Sequence, residues 1–331
     1  MSAPGARHLP FGRPPAFNPR SPWWGGDLQT VRNYARQASR TVEARTDERL
    51  IIALDDGTGD RLAAALSLPA GWQAHPLILL IHGISGCEGS GYMKMATAFF
   101  VQRGYGVLRI NLRGAGPSRP LCKREYHAGS SHDLARVIER LDPKLTGKEL
   151  LPVGFSLGGN LLLKFLGTVG ERHPVKRAAT VSAPIDLSGS CRSILRWRNL
   201  VYHRYIFPRL RQSCMDPGAE LSDSERQALL EARNLWQLDD RFIARRNGYD
   251  GAEDYYRQNS ATNFLGAIKQ PTLLIHARND PFVPVTPYLD PRWAENQALT
   301  LLLPDGGGHL GFHDPAGLWH LRQIEAFFKA P

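Results

Sequence analysis

The sequence predicts an α/β fold: a mostly parallel central sheet flanked by helices, with one helical insertion capping it. Three observations carry that expectation. Short apolar runs alternate with helix-like patterns along most of the chain, the order that βαβ units produce. The runs P-L-I-L-L-I-H-G, R-A-A-T-V-S-A-P and P-T-L-L-I-H-A-R-N-D have no polar face, as expected of strands covered on both sides. The alternation breaks once, over residues 185–270, where a long, Arg-rich, mostly helical-looking stretch intervenes before strand and helix patterns resume.

Taken in order, residues 1–22 are rich in Pro, Arg and Gly and read as an extended N-terminal arm. The packed domain is expected over residues 23–331, with the cap inside it at about 185–270. β-rich runs follow at 50–54, 61–68 and 77–82, then a helix at about 91–103 and a strand at 106–112. A short strand and a helix flank Ser156, and after the insertion come the strand before Asp280, another at 298–303 and a closing helix at 318–328. One interrupted sheet accounts for this better than two independent domains, and the 32 Gly and 24 Pro supply the tight turns it needs.

A 42% hydrophobic content and a mean hydropathy of −0.31 are those of a soluble globular protein. The formal charge of +10 favours anionic neighbours such as lipid headgroups, nucleic acid or acidic substrates. No helix-turn-helix, zinc-finger or RNA-binding signature accompanies it, so nucleic acid is not expected as a partner. Cys87, Cys122, Cys191 and Cys214 lack metal-like spacing and read as free thiols in a reducing compartment. No apolar secretion signal or run of about 18 apolar residues occurs, which points to a cytoplasmic protein. The histidines are dispersed without an H-E-x-x-H pattern, so neither a metal nor a cofactor is expected.

Gly154, Phe155, Ser156, Leu157 and Gly158 form a G-x-S-x-G between a strand pattern and a helix pattern. A turn that sharp strains its central residue and needs small neighbours, and it presents the serine hydroxyl at the sheet's exposed end beside a helix N-terminus. The candidate acid, Asp280, and the candidate base, His309, follow later strands in the chain order such a nucleophile requires. His309 stands in the Gly-rich loop G-G-G-H-L-G-F, which allows the bend back toward serine; Asp305 and His313 are the rival assignments. An acyl-transfer site also needs two donors for its oxyanion, and the backbone N–H groups of Ile84 and Leu157 are the candidates. Gly83 and Gly86 would leave room for a substrate carbonyl, and His82 reads as a structural histidine bonded to its own loop.

In the insertion, residues 191–212 interleave six arginines with Trp197, Tyr202, Tyr205 and Phe207. Two readings stand: a cap helix with a solvated basic face, or a helix that also touches an anionic membrane peripherally. In both, Trp197 and Phe207 are expected to shape the acyl site.

With these residues in view, the chain resembles the YheT-like family of α/β-hydrolases from about Trp23 to Phe328. The resemblance rests on W-W-G-G-D-L-Q-T, H-G-I-S-G, Y-H-A-G-S-S-H-D-L, G-F-S-L-G-G-N-L-L-L-K-F-L, S-A-P-I-D-L, D-Y-Y and G-G-G-H-L-G-F. It implies the α/β-hydrolase fold and a serine esterase or lipase-like enzyme whose nucleophile, acid and base fall on Ser156, Asp280 and His309. Two departures stand out: Asp27 replaces the family's usual histidine in G-H-L-Q-T, and R-G-A-G replaces R-G-C-S-G. The expected activity is hydrolysis of short- to medium-chain or lipid-like carboxylic esters through an acyl-enzyme. The alternatives are acyl transfer to an alcohol and a non-catalytic binding protein on the same scaffold.

Overall fold

The computed structural model describes residues 16–37, 48–147, 149–170 and 173–330. The strands of its main sheet are β1 (Glu48–Ala53), β2 (Arg61–Ser67), β3 (Leu77–Ile81), β4 (Gly106–Ile110), β5 (Leu150–Phe155), β6 (Ala178–Val181), β7 (Thr272–Ile275) and β8 (Leu299–Leu302). They form one eight-stranded sheet in the order β1-β2-β4-β3-β5-β6-β7-β8. β2 runs antiparallel to both its neighbours, while β3 to β8 are parallel to one another.

Apolar runs without a polar side make sense in this sheet. Along β3 the side chains alternate between two cores: Leu77, Leu79 and Ile81 enter one, Ile78 and Leu80 the other, and all five are buried. Burying each such side chain contributes about 1.5–3 kcal/mol, so a sheet covered on both faces selects continuous Leu, Ile and Val.

Helix α1 (Gly25–Gln37) precedes the sheet, α2 (Gly91–Val101) follows β3, α3 (Ser131–Arg140) and the single turn α4 (Pro143–Thr146) follow β4, and α5 (Leu157–Val169) follows β5. Between β6 and β7 the chain folds into α6 (Leu187–Ile194), α7 (Leu200–Cys214), α8 (Asp223–Glu231), the short α9 (Leu235–Leu238) and α10 (Ala252–Asn259). A π-helical stretch, Asp239–Ala244, continues α9. Side chains set these boundaries: Asp186 caps α6, Asn234 caps α9, and Ser222 with Glu225 makes a reciprocal capping box on α8. The turn α11 (Pro291–Ala294) and the closing helix α12 (Trp319–Phe328) complete the chain order.

Of the expected arm, residues 1–15 lie outside the described residues. Residues 16–22 have no regular structure and are mostly exposed, but Phe17 and Arg20 anchor them. The Phe17 ring meets Phe312 and Trp319 edge-on at 6.0 and 5.8 Å, and Arg20 N–H donates to His313 O at 3.0 Å. Among the described residues all four cysteines are free thiols, and no helix is long and apolar enough to cross a membrane.

Candidate active site

Every group of the site sits beyond the carboxyl end of a parallel strand, where loops diverge and side chains can converge. Ser156 follows β5 at φ 51° and ψ −122°, a left-handed conformation that a side chain adopts only when its surroundings enforce it. The surroundings do so. Its N–H donates to Val181 O of β6 at 2.9 Å, and α5 leaves so abruptly that a Cβ on Gly158 would lie 2.5 Å from both Ile81 O and His82 O. A Cβ on Gly154 would lie 2.6 Å from Gly158 O. Both glycines are therefore required by the close passage of strand and helix.

His309 Nε2 stands 3.0 Å from Ser156 Oγ, and His309 Nδ1 stands 2.8 Å from Asp280 Oδ2. Asp280 Oδ1 accepts the N–H groups of Phe282 at 3.1 Å and Val283 at 2.9 Å. Burial pushes the Asp280 carboxyl up, but attraction to His309 and these hydrogen bonds outweigh it and hold the group below its ordinary value. An ionised Asp280 fixes the tautomer: Nδ1–H donates to the carboxylate, leaving Nε2 free to accept a hydrogen bond from the Ser156 hydroxyl. The rivals are not in this arrangement. The Asp305 side chain is fully exposed and pairs with Arg278 at 3.6 Å, while the His313 backbone bonds Gln29 on both its N–H and its C=O.

The loop after β3 explains the candidate oxyanion donors. Gly83 N–H donates to the Tyr92 hydroxyl at 2.9 Å, Ser85 N–H to the Tyr126 hydroxyl at 2.7 Å, and Gly86 N–H to Gly83 O at 3.1 Å. Ile84 N–H, between them, and Leu157 N–H have no acceptor among the described residues, and both residues line the cavity beside Ser156. His82 secures the loop: Nδ1–H donates to Gly83 O at 2.8 Å and Nε2 accepts Leu112 N–H at 3.0 Å. Burial lowers its pKa to about 4, partly opposed by the Gly83 bond, so the ring stays neutral in this role.

The substrate-binding expectations need correction. Gly83 is not among the residues that line the cavity; a Cβ there would lie 2.9 Å from Ser156 Cβ, so the glycine makes room for Ser156. Trp197 is 85% exposed and Phe207 is buried against His203, their rings stacked at 5.3 Å, and neither reaches the cavity. The phase of α7 turns Ile206 and Leu210 inward instead, where they join Ile194, Leu235 and Ile243 around a largely apolar space of about 790 Å³, its open mouth included.

Three features were not read from the sequence. Asp239, at the start of the π-helical stretch, lines the apolar cavity and accepts the Tyr256 hydroxyl at 2.6 Å. Burial raises its pKa to about 7 against the lowering effect of Tyr256. Second, the Q-T of W-W-G-G-D-L-Q-T clamps the histidine loop: His309 N–H donates to Thr30 Oγ1 at 2.8 Å, and Gln29 bonds His313. Third, Asp27 accepts the Tyr202 hydroxyl at 2.7 Å and the Arg198 guanidinium at 3.0 Å, tying α1 to the cap. The Tyr202 ring then meets Phe282 at 5.2 Å, and Phe282 meets the His309 ring at 4.1 Å. Among the described residues one trio, Asp56, His132 and Asp133, has ligand-like spacing, but Arg113 occupies its centre by bonding both carboxylates at 2.6 Å.

A model of the α/β-hydrolase fold matches residues 76–316. The chain is 32% identical over 252 residues to YheT of Escherichia coli strain K12, a candidate esterase, spanning 74% of this chain and 72% of that protein. It is 28% identical over 246 residues to the mouse phospholipase ABHD3, spanning 74% of this chain and 59% of the mouse protein's length. A solved structure of the Pyrococcus furiosus esterase Pf2001 is similar in fold, with a TM-score of 0.58 at 17% identity and 98% of each chain covered.

Proposed function

Because the chain belongs to the α/β-hydrolase family, in its YheT-like branch, we propose that it is a serine carboxylic ester hydrolase acting through an acyl-enzyme on medium-chain or lipid-like esters. The observation that carries this reading is the line Ser156 Oγ, His309 Nε2, His309 Nδ1, Asp280 Oδ2, with its steps of 3.0 and 2.8 Å, facing two backbone donors that have no acceptor. Ser156 Oγ attacks the ester carbonyl while His309 Nε2 takes its proton, and the oxyanion that forms is met by the N–H groups of Ile84 and Leu157. Collapse breaks the C–O bond, and the leaving alkoxide carries off the proton held by His309. Water then gives a proton to His309 and attacks the acyl carbonyl, and collapse breaks the bond to Ser156 Oγ, which takes back the proton from His309 as the acid leaves. Asp280 holds the imidazole in one tautomer and stabilises its cation throughout.

The apolar cavity supports an acyl chain as its occupant, since such pockets fix an apolar ligand by shape and leave the polar contacts to the reacting end. The test is a chain-length series of p-nitrophenyl and glycerol esters, from acetate to laurate, with and without ethanol. The expected result is hydrolysis with a medium-chain optimum. Ethyl ester as the main product would move the reading to acyl transfer. Absence of turnover and of fluorophosphonate labelling would leave a binding protein on the same scaffold.

A further inference from the structure

Seven of the twelve large hydrophobic side chains exposed among the described residues lie at or along α1 and on the start of the cap: Trp24 just before the helix, Leu28 and Val31 on it, and Trp197, Leu200, Val201 and Tyr205. Spacing explains each set. Residues 24, 28 and 31 recur at helical intervals and form one stripe along α1, while 197, 201 and 205 recur every four residues along the cap. Trp197 at 85% and Val201 at 75% exposure are far beyond the partial exposure of ordinary surface aliphatics. The stripes are neighbours, because Asp27 of α1 bonds both Tyr202 and Arg198 of the cap. Arg198 and Asn199 reach on to Pro281 O at 3.2 and 2.8 Å, next to Asp280. The apolar patch therefore lies over the loop that carries the acid, and it borders the cavity through Tyr202 and Phe282.

The charge around the patch chooses its occupant. Residues 191–212 hold six arginines and no Asp or Glu. Arg196, Arg204 and Arg209 are exposed, and none of them pairs with a carboxylate among the described residues. Arg209 lies over the Tyr205 ring at 3.7 Å, keeping cation and apolar surface together. Tryptophan and tyrosine beside arginine suit the boundary of a bilayer, where aromatic rings enter the headgroup layer and guanidinium groups meet phosphates.

We propose that the joined faces of α1 and of α7 with the turn before it dock the protein on an anionic lipid surface with the mouth of the ester site turned toward the lipid. This rests on the ester hydrolase reading for its purpose, and its test is independent of that reading. Full-length protein carrying Ser156→Ala, which cannot digest lipid, is sedimented with phosphatidylglycerol–phosphatidylcholine vesicles and with pure phosphatidylcholine vesicles at low and high salt. Binding is expected on the anionic vesicles at low salt, weakened at high salt by screening. It should fall about tenfold with Arg204→Glu and again with the pair Trp197→Ser and Val201→Ser, in variants whose melting temperature is unchanged. Soluble p-nitrophenyl butyrate is assayed in parallel with the wild type. Turnover without vesicle binding overturns the docking surface and leaves the hydrolase; vesicle binding without turnover does the reverse. Concentration-dependent self-association without lipid, abolished by Val201→Ser, would assign the patch to a second copy of the chain and overturn the proposal.

Discussion

Thr30 Oγ1 accepts the His309 N–H at 2.8 Å and donates its own proton to Gly26 O at 2.7 Å, so a hydroxyl 279 residues away in sequence holds His309 in place. Removing it leaves a buried donor unsatisfied and takes away a tether on the His309 loop. Thr30→Val should therefore lower kcat roughly 10- to 100-fold with little change in KM, and Thr30→Ser should restore most of it, as steady-state kinetics on a soluble ester would register. Asp280→Asn acts on the tautomer itself and should lower kcat by about 10⁴, whereas Asp305→Asn, on an exposed side chain, should be nearly silent. The placement of Ser156, Asp280 and His309 beyond the ends of β5, β7 and β8 was legible in the sequence because each follows its own strand. The clamp from Gln29 and Thr30 was not, since W-W-G-G-D-L-Q-T shows no partner until the topology brings the two ends of the chain together.

The cap shows what residue type alone leaves open. Between residues 191 and 212 aromatic, aliphatic and Arg residues are interleaved, so hydrophobicity alone does not tell which face turns inward, and Ile206 and Leu210 line the cavity where the larger Trp197 and Phe207 do not. Filling the cavity with Leu210→Trp should shorten the preferred acyl chain while sparing the acetate ester, and Trp197→Ala should leave chain-length preference as it is; kcat/KM across a p-nitrophenyl series compares them. The π-helical stretch had no sequence signal either, yet it delivers Asp239 to the cavity wall. Its carboxyl is neutral in the folded protein below about pH 7 but ionises near 3.8, the ordinary aspartate value, in the unfolded chain. Across that window unfolding releases a proton, so the stability this group contributes declines as pH rises and levels off above about 7. Asp239→Asn, which cannot ionise, should gain in melting temperature relative to wild type as pH goes from about 4 to 8; a constant difference would rule out a neutral Asp239.

At the scale of the whole molecule, sheet and helices are locked by a charge cluster that the sequence displayed only as separate motifs. Arg113, just beyond β4, bonds Asp60 at 2.7 Å and both Asp56 and Asp133 at 2.6 Å, joining the β1–β2 turn to α3. Removing the cation leaves largely buried carboxylates facing one another, so Arg113→Ala should cost about 3–5 kcal/mol at neutral pH. Burial pushes Asp56 up, but its bonds to Thr58 and Arg113 hold it far below the ordinary value, so its stabilising share is complete above about 3.8 and fades as pH falls below that. The penalty of Arg113→Ala should accordingly shrink in acid, which urea melts at neutral and acid pH would measure. The mostly parallel sheet, seen in β3 to β8, followed from the alternating pattern, because a sheet covered on both faces constrains every apolar run alike, whereas the strand order did not. Contacts such as Arg113 with Asp133 depend on where the crossovers bring their ends, which local pattern does not encode. All of this architecture serves one claim, that Ser156 is the nucleophile of an acyl-enzyme. Intact-mass and peptide mapping after fluorophosphonate treatment tests it most directly: one adduct on the peptide holding Ser156, absent in Ser156→Ala and slow to form in His309→Ala, is the predicted result, and an adduct on another residue or no adduct on active protein would contradict it.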